Sequence, residues 1–180
     1  ETVMEKVLGF FVEINIKENQ EVQCDIEVPI EFMGCTFQDR VIGWVNDEKN
    51  EVSYNAIFHN DIIFTNCSFK EDFLFKYSKF NSKADLSENN FNNIVLLKYA
   101  EFRQPVSFAE SIFTKEANFK YTNFPQGTTF IKSQFKSTAN FKYTNIEEFV
   151  DFSETSFNGE ANFKYTKFPK GVSFENSTFS

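Results

Sequence analysis

The sequence predicts an all-β solenoid, a chain wound into a coil of four short sides with about 22 residues per turn. Three observations predict it. The phrase "ANFKYTNF" at Ala117–Phe124 returns as "ANFKYTNI" at Ala139–Ile146 and "ANFKYTKF" at Ala161–Phe168, at the same interval each time. Stepping from Phe64 by five and six positions in alternation reaches Phe179 through centres that are Phe throughout, except for Leu86, Leu97 and Ile146. Two residues before each of these centres stands a second set, mostly small or β-branched: Ala84, Val106, Ala117, Thr122, Ser133, Val150, Thr155. A spacing of two puts both residues on one face of an extended strand, so each unit is a very short strand with one large and one small residue inward. The residue between them, as at Asn118, Asn140 and Asn162, faces out.

The alternatives fail on spacing. A helix needs apolar positions three and four apart. Hairpins need Gly- and Pro-rich turns every eight to twelve residues, and Gly occurs only six times in the chain. Tight corners must join the strands, and four sides of five, six, five and six residues close one turn. The centres then fall into four columns, in which rings on neighbouring turns lie about 4.8 Å apart and can stack.

Taken from the N-terminus, residues 1–23 are expected to form a cap. Val3, Met4, Val7, Leu8 and Phe11 have helical spacing, and Thr2 and Glu5 have that of a capping box, which predicts a short helix over 1–11. "FFVEINI" (Phe10–Ile16) alternates as a strand. Residues 24–57 are expected to hold an irregular first coil. "CDIEVPIEFMGCTF" (Cys24–Phe37) fits the repeat with centres Ile26, Phe32 and Phe37, after which register is lost. The interval from Phe37 to Phe58 is one position short of a coil. "GWVNDEKNEVSY" (Gly43–Tyr54) reads as two short strands around a polar tip, a protruding hairpin or loop within 39–55 that carries the only Trp, Trp44. It is either a local irregularity or a functional loop on a rigid scaffold. Residues 58–180 are the regular β-helix. The sequence does not begin with Met, which suggests a processed or trimmed start. It stops at Phe179–Ser180 in mid-coil, so either the natural chain continues or the open edge meets a second copy.

The units resemble pentapeptide repeats, whose consensus is A(D/N)LXX: "ANFKY" at Ala117–Tyr121 and "ADLSE" at Ala84–Glu88 carry the resemblance, with Phe replacing Leu at most centres. It covers residues 56–180, and 24–37 more weakly, in the Phe-centred form whose double unit has one position more than two plain pentapeptides. The resemblance implies a right-handed quadrilateral β-helix. It implies little about activity, because one fold hosts many functions. Some members of this family mimic DNA with an acidic rod and bind DNA gyrase.

Charge bears on that comparison. Residues 1–72 carry 15 acids and five bases, whereas residues 73–180 carry 11 acids and 13 bases, so the chain's net −8 belongs to its front. A DNA mimic needs acids along the rod, which ranks regulation of gyrase or topoisomerase second to a non-catalytic protein-interaction scaffold. No apolar run has the length of a membrane span. The odd count of cysteines (Cys24, Cys35, Cys67) and the lack of a CxxC motif argue against disulfides and against zinc, and suggest a reducing, cytoplasmic setting. Each precedes an apolar centre by two and fits the small inward slot. No phosphate loop, nucleophile elbow or metal spacing appears, so neither an enzyme nor a cofactor is expected. The single His59 lies beside centre Phe58, with no partner motif that would make it a base.

One surface feature stands out. "KY" follows the first column of centres in every coil: Lys76–Tyr77, Lys98–Tyr99, Lys120–Tyr121, Lys142–Tyr143 and Lys164–Tyr165. Stacking the coils predicts a ladder of five Lys beside a ladder of five Tyr. It is either a solvated by-product of duplication or a binding stripe for an anionic or aromatic-rich partner. Together with Trp44, these residues are the candidate site. Net charge and a convex face disfavour direct nucleic-acid binding.

Overall fold

The structure, a computed structural model, describes residues 2–7, 10–15 and 21–180, the first two segments by their backbone alone. Among the described residues there is no helix. The strands that open the chain are β1 (Thr2–Val7), β2 (Phe10–Asn15), β3 (Glu21–Ile26), β4 (Ile30–Met33), β5 (Thr36–Phe37), β6 (Val41–Ile42), β7 (Trp44–Asp47), β8 (Val52–Phe58) and β9 (Ile62–Thr65). Those that follow, from Ser68–Phe69 to Thr178–Phe179, are two residues each.

The helix expected over 1–11 is not formed among the described residues of that span. Thr2–Val7 is a strand, paired antiparallel with β2 from Thr2↔Asn15 to Val7↔Phe10. A short apolar run satisfies helical and extended patterns alike. Here β-branched Thr2, Val3 and Val7 lie opposite "FFVEIN", and a ladder along the whole strand supplies backbone bonds that a short helix would have to nucleate alone.

From β3 onward the strands, β7 excepted, stack in four parallel sheets, one per side of a quadrilateral coil. The register step is constant throughout the regular part and equals the interval of the repeated phrase, as in Phe69↔Phe91, Val95↔Ala117 and Thr128↔Val150. Corner amides join the ladder too: Tyr77 N–H donates to Lys98 O at 3.1 Å and Glu88 N–H to Ala109 O at 2.8 Å. The hollow is filled as the spacing predicts. Every centre from Phe64 to Phe157 is buried, and so are its companions. Rings stack along the columns: Phe69–Phe91 at 4.9 Å, Phe102–Phe124 at 5.3 Å, Phe108–Phe130 at 5.0 Å and Phe119–Phe141 at 4.8 Å. Neighbouring columns meet edge to face, as do Phe119 and Phe130 at 5.2 Å. Both arrangements suit the ring quadrupole.

The loss of register after Phe37 has a simple cause. Ile26 pairs with Phe58 and Phe32 with Phe64, in both cases ten positions further on than a regular coil would place the partner. The extra length is the β7–β8 hairpin, antiparallel from Trp44↔Asn55 to Asp47↔Val52. Asp47 fastens its tip, accepting from the Lys49 and Asn50 amides at 3.1 Å and from Asn50 Nδ2 at 2.7 Å. These bonds, the Asn50 side chain first, hold the Asp47 carboxyl below its ordinary range. Gly43 permits the insertion to leave the coil. It lies over Phe75, and a Cβ there would come within 2.4 Å of Phe75 Cδ1.

Candidate functional site

The phrase ANFKYT builds the site residue by residue. Ala117 and Phe119 are inward and fully buried. Asn118 lies between them, and its Oδ1 accepts the Lys120 amide at 3.1 Å; Asn140 and Asn162 hold Lys142 and Lys164 in the same way at 3.1 Å. This starts the corner. Tyr121 follows with φ 60°, and the corner closes with Thr122 N–H donating to Phe119 O at 3.0 Å. Positive φ at the third residue of a hydrogen-bonded turn is the type II geometry, a place for Gly or Asn. Here it is filled by Tyr77, Tyr99, Tyr121, Tyr143 and Tyr165, at φ between 58° and 63°. A side chain in that region costs about 1–2 kcal/mol.

What the tyrosines gain is each other. Tyr77–Tyr99, Tyr99–Tyr121, Tyr121–Tyr143 and Tyr143–Tyr165 stack at 4.9, 4.8, 4.9 and 4.6 Å, within 12° of parallel. Each lysine lies back over its own ring, with Nζ at 4.7 Å for Lys76, 5.0 Å for Lys98 and Lys142, 5.1 Å for Lys120 and 4.9 Å for Lys164. The ammonium groups are thus placed on ring faces, a favourable cation–π position that counters the repulsion between neighbouring lysines. The structure therefore brings all ten Lys and Tyr residues of the stripe into one ordered surface. Tyr99, Tyr121 and Tyr143 stay more than a third exposed.

Trp44 joins them. The lengthened register of the first coil, set by Val41↔Phe73 and Ile42↔Leu74, carries it one turn below Lys76. Lys76 Nζ sits 4.5 Å from its ring centroid. Lys76 is sandwiched between Trp44 and Tyr77. Burial in that sandwich, then the charge of Lys98, pushes its ammonium below the ordinary lysine range. Burial, then Tyr99 and Glu21, pushes the Tyr77 phenol up; Tyr121 is raised in the same sense by burial and by its two tyrosine neighbours.

Half a turn away, the opposite corner has the same backbone and other chemistry. Its positive-φ residues include Glu88, Glu110, Lys132 and Glu154. The two corners differ by side chain alone, which gives the coil one aromatic, basic edge.

Two features escaped the sequence reading. The first is the work done by the small inward residues before the second and fourth columns. Thr122 Oγ1 donates to Leu97 O at 2.8 Å, Ser133 Oγ to Phe108 O at 2.8 Å, Thr144 Oγ1 to Phe119 O at 2.9 Å and Thr155 Oγ1 to Phe130 O at 2.7 Å. At most of these corners a hydroxyl ties the chain to the coil before it. The recurring Ser and Thr at that slot was the available signal. The second is the setting of His59: Nε2 lies 2.7 Å from Asp25 Oδ1 and 3.7 Å from Glu27 Oε1, and Nδ1 is 3.2 Å from Asn81 Nδ2. Those partners come from adjacent coils, which sequence neighbours do not reveal. Cys24 and Cys67 are buried, Cys35 is half-buried, and none of the three is in a disulfide. Burial pushes the Cys67 thiol up.

A four-sided parallel solenoid with an ordered stripe along one corner defines the class: a repeat-built β-helical scaffold. Residues 97–145 and 141–180 match the family model described as pentapeptide repeats (9 copies), so the coil over 97–180 is similar to that family's repeats. No curated protein and no solved structure matched the chain. Among the described residues, no helix is long and apolar enough to cross a membrane.

Proposed function

We propose that this protein is a non-catalytic interaction scaffold whose Lys/Tyr stripe, extended by Trp44, captures an acidic protein partner that also carries aromatic side chains. The observation that carries this reading is the placement of Trp44. Duplication of a repeat copies Lys and Tyr automatically. It does not supply a tryptophan from an inserted hairpin, outside the regular count, at the next position of the same ladder. Aromatic rings and cations on one rigid edge suit a partner with carboxylates and exposed rings. Three cysteines outside any disulfide are in keeping with a reducing, cytoplasmic setting.

The test replaces Lys76, Lys98, Lys120, Lys142 and Lys164 by Glu. The thermal melt should show an intact coil, and quantitative pull-down from cells should show capture of the partner abolished. Unchanged capture by the folded variant would move the interaction to the hairpin. Supercoiling by DNA gyrase should be unaffected by micromolar amounts of the protein; clear inhibition would favour the DNA-mimic reading instead.

A further inference from the structure

One outward column of the coil changes character along its length. In the later turns it is Asn118, Asn140 and Asn162, in ladder register, and each amide oxygen fastens the corner by accepting a lysine N–H. In the earlier turns the same column is Ile42, Leu74 and Leu96, also in register and half-buried. An aliphatic side chain cannot accept that bond, and on the solvent side of the sheet its apolar area is unfavourable. Ile94 extends the patch. It stands just before Val95, with Asp72 one turn below it and Glu116 one turn above, and is 40% exposed. Neither the core nor the corner gains from these residues. A contiguous apolar patch with a polar rim marks an interaction surface. The rim has opposite charge on its two sides. On one stand Lys76 and Lys98, with Trp44 packed on Lys76. On the other stand Asp72 and Glu116, whose Oε1 accepts from Asn118 Nδ2 at 3.0 Å. The backbone of this face is engaged with its neighbouring turns: Phe75 N–H donates to Leu96 O and Leu97 N–H to Asn118 O. No ladder edge is open there for an added strand, so a helix laid on the face is what can cover it. From Ile42 to Leu96 is two ladder steps, about 10 Å. Helix side chains seven positions apart are also about 10 Å apart.

We propose that this patch docks an amphipathic helix of the acidic partner protein. The helix covers Ile42, Leu74, Leu96 and Ile94 with apolar side chains at i, i+3, i+4 and i+7. Its carboxylates lie along the flank that faces Lys76 and Lys98, and its Lys or Arg residues along the flank that faces Asp72 and Glu116. The lysines meet those carboxylates from the ring faces on which they already lie, so the tyrosine ladder keeps its stack. The inference rests on the stripe reading for the acidic flank. It adds the place where the partner's apolar and aromatic side chains pack, which is the aliphatic face beside the stripe and not the tyrosine rings.

The experiment is a nuclear magnetic resonance titration of the ¹⁵N-labelled full chain with a synthetic helical peptide. The peptide has Leu at the stripe positions, Glu along one flank and Lys along the other. A peptide with Ser for each Leu, and one with Lys for each Glu, are run as separate arms. The expected result is saturable shifts at Ile42, Leu74, Ile94 and Leu96, with the Ser peptide silent and the all-Lys peptide weaker by about tenfold. Leu74→Asn/Leu96→Asn installs the residue that the later turns use in this column, so the melt should show an intact coil while peptide binding weakens by about tenfold or more. Lys76→Glu/Lys98→Glu should weaken it by about tenfold through loss of charge-assisted bonds. No saturation, shifts outside the patch, equal binding of the Ser peptide, or full binding by Leu74→Asn/Leu96→Asn overturns the site. The two variants separate the two readings. If the lysine variant alone loses the peptide, the stripe stands and this patch falls. If the asparagine variant alone loses it, the patch stands and the acidic flank falls. Sedimentation velocity of the free chain is the last arm: a dimer that Leu74→Asn/Leu96→Asn disperses would assign the patch to a second copy and overturn the partner helix.

Discussion

Phe130→Ala tests the filled hollow. Phe130 is fully buried. It stacks between Phe108 and Phe152, 5.0 Å from each, and meets Phe119 and Phe141 edge-on, 5.2 Å from each. Truncating a buried Phe to Ala costs about 3–5 kcal/mol, the higher values where the site cannot collapse. Two features place this site high in that range. Each lost ring pair adds about 0.5–1.5 kcal/mol beyond area, and ladder bonds above and below keep the neighbouring rings from closing the void. The expected loss is therefore about 4–5 kcal/mol. Phe179 is the control. It belongs to the same repeat but is 57% exposed, stacked on Phe157 at 4.8 Å. Its truncation should cost less than about 1 kcal/mol. Urea melts followed by far-ultraviolet circular dichroism give both values. If Phe130→Ala lies within about 1 kcal/mol of wild type, or costs no more than Phe179→Ala, the reasoning fails.

Three further outcomes follow from single positions. Ala100 occupies the slot where Ser78 and Thr122 place a hydroxyl that bonds a carbonyl of the preceding coil. Ala100→Ser should gain about 0.5–1.5 kcal/mol in the same urea melt, and a loss would deny the hydroxyls their role. Gly43→Ala would push a Cβ to 2.4 Å from a Phe75 ring that has nowhere to move, so stability should fall by about 1–3 kcal/mol; a neutral result would mean that the hairpin leaves the coil elsewhere. Lys76 is held below 10.5, so between its folded value and 10.5 the unfolded chain binds more protons and the lysine's contribution to stability rises with pH. Tyr77 and Tyr121 are raised above 10.0, so their contribution is present below pH 10 and is lost as pH rises through their folded values. Subtracting the pH–stability curve of Lys76→Met should isolate the rising component, and a flat difference would contradict the sandwich.

Much of this architecture was legible because a solenoid writes its geometry into one dimension. A residue's inward or outward sense depends on its place in a five-and-six count, and its neighbour above stands one full count further on. Phe130, Thr128 and Val150 could be placed on sight for that reason. The same rule hid what breaks the count. The hairpin lengthens the first coil by ten, so Trp44 falls beside Lys76 by a step that no regular periodicity announces. Register also cannot show hydrogen bonding: Thr144 reads as small and β-branched, and only the packed coil shows its hydroxyl on Phe119 O. At Thr2–Val7 the sequence reading chose the wrong period, because a helical apolar spacing over so few residues competes with a strand that has a ready partner in β2. The stripe was visible as repeated KY, but its rigidity was not. Tyr121 at φ 60° would ordinarily be read as strain, and the corner bonds and the stack above and below are what hold it there.

Lysine footprinting of the captured complex tests the central claim most directly. The protein is acetylated with and without its partner bound, and each site is quantified by mass spectrometry. Lys98, Lys120 and Lys142 should become protected, while Lys132 on the opposite corner keeps its reactivity. Equal modification of the stripe lysines in both states, with Lys49 at the hairpin tip protected instead, would contradict it.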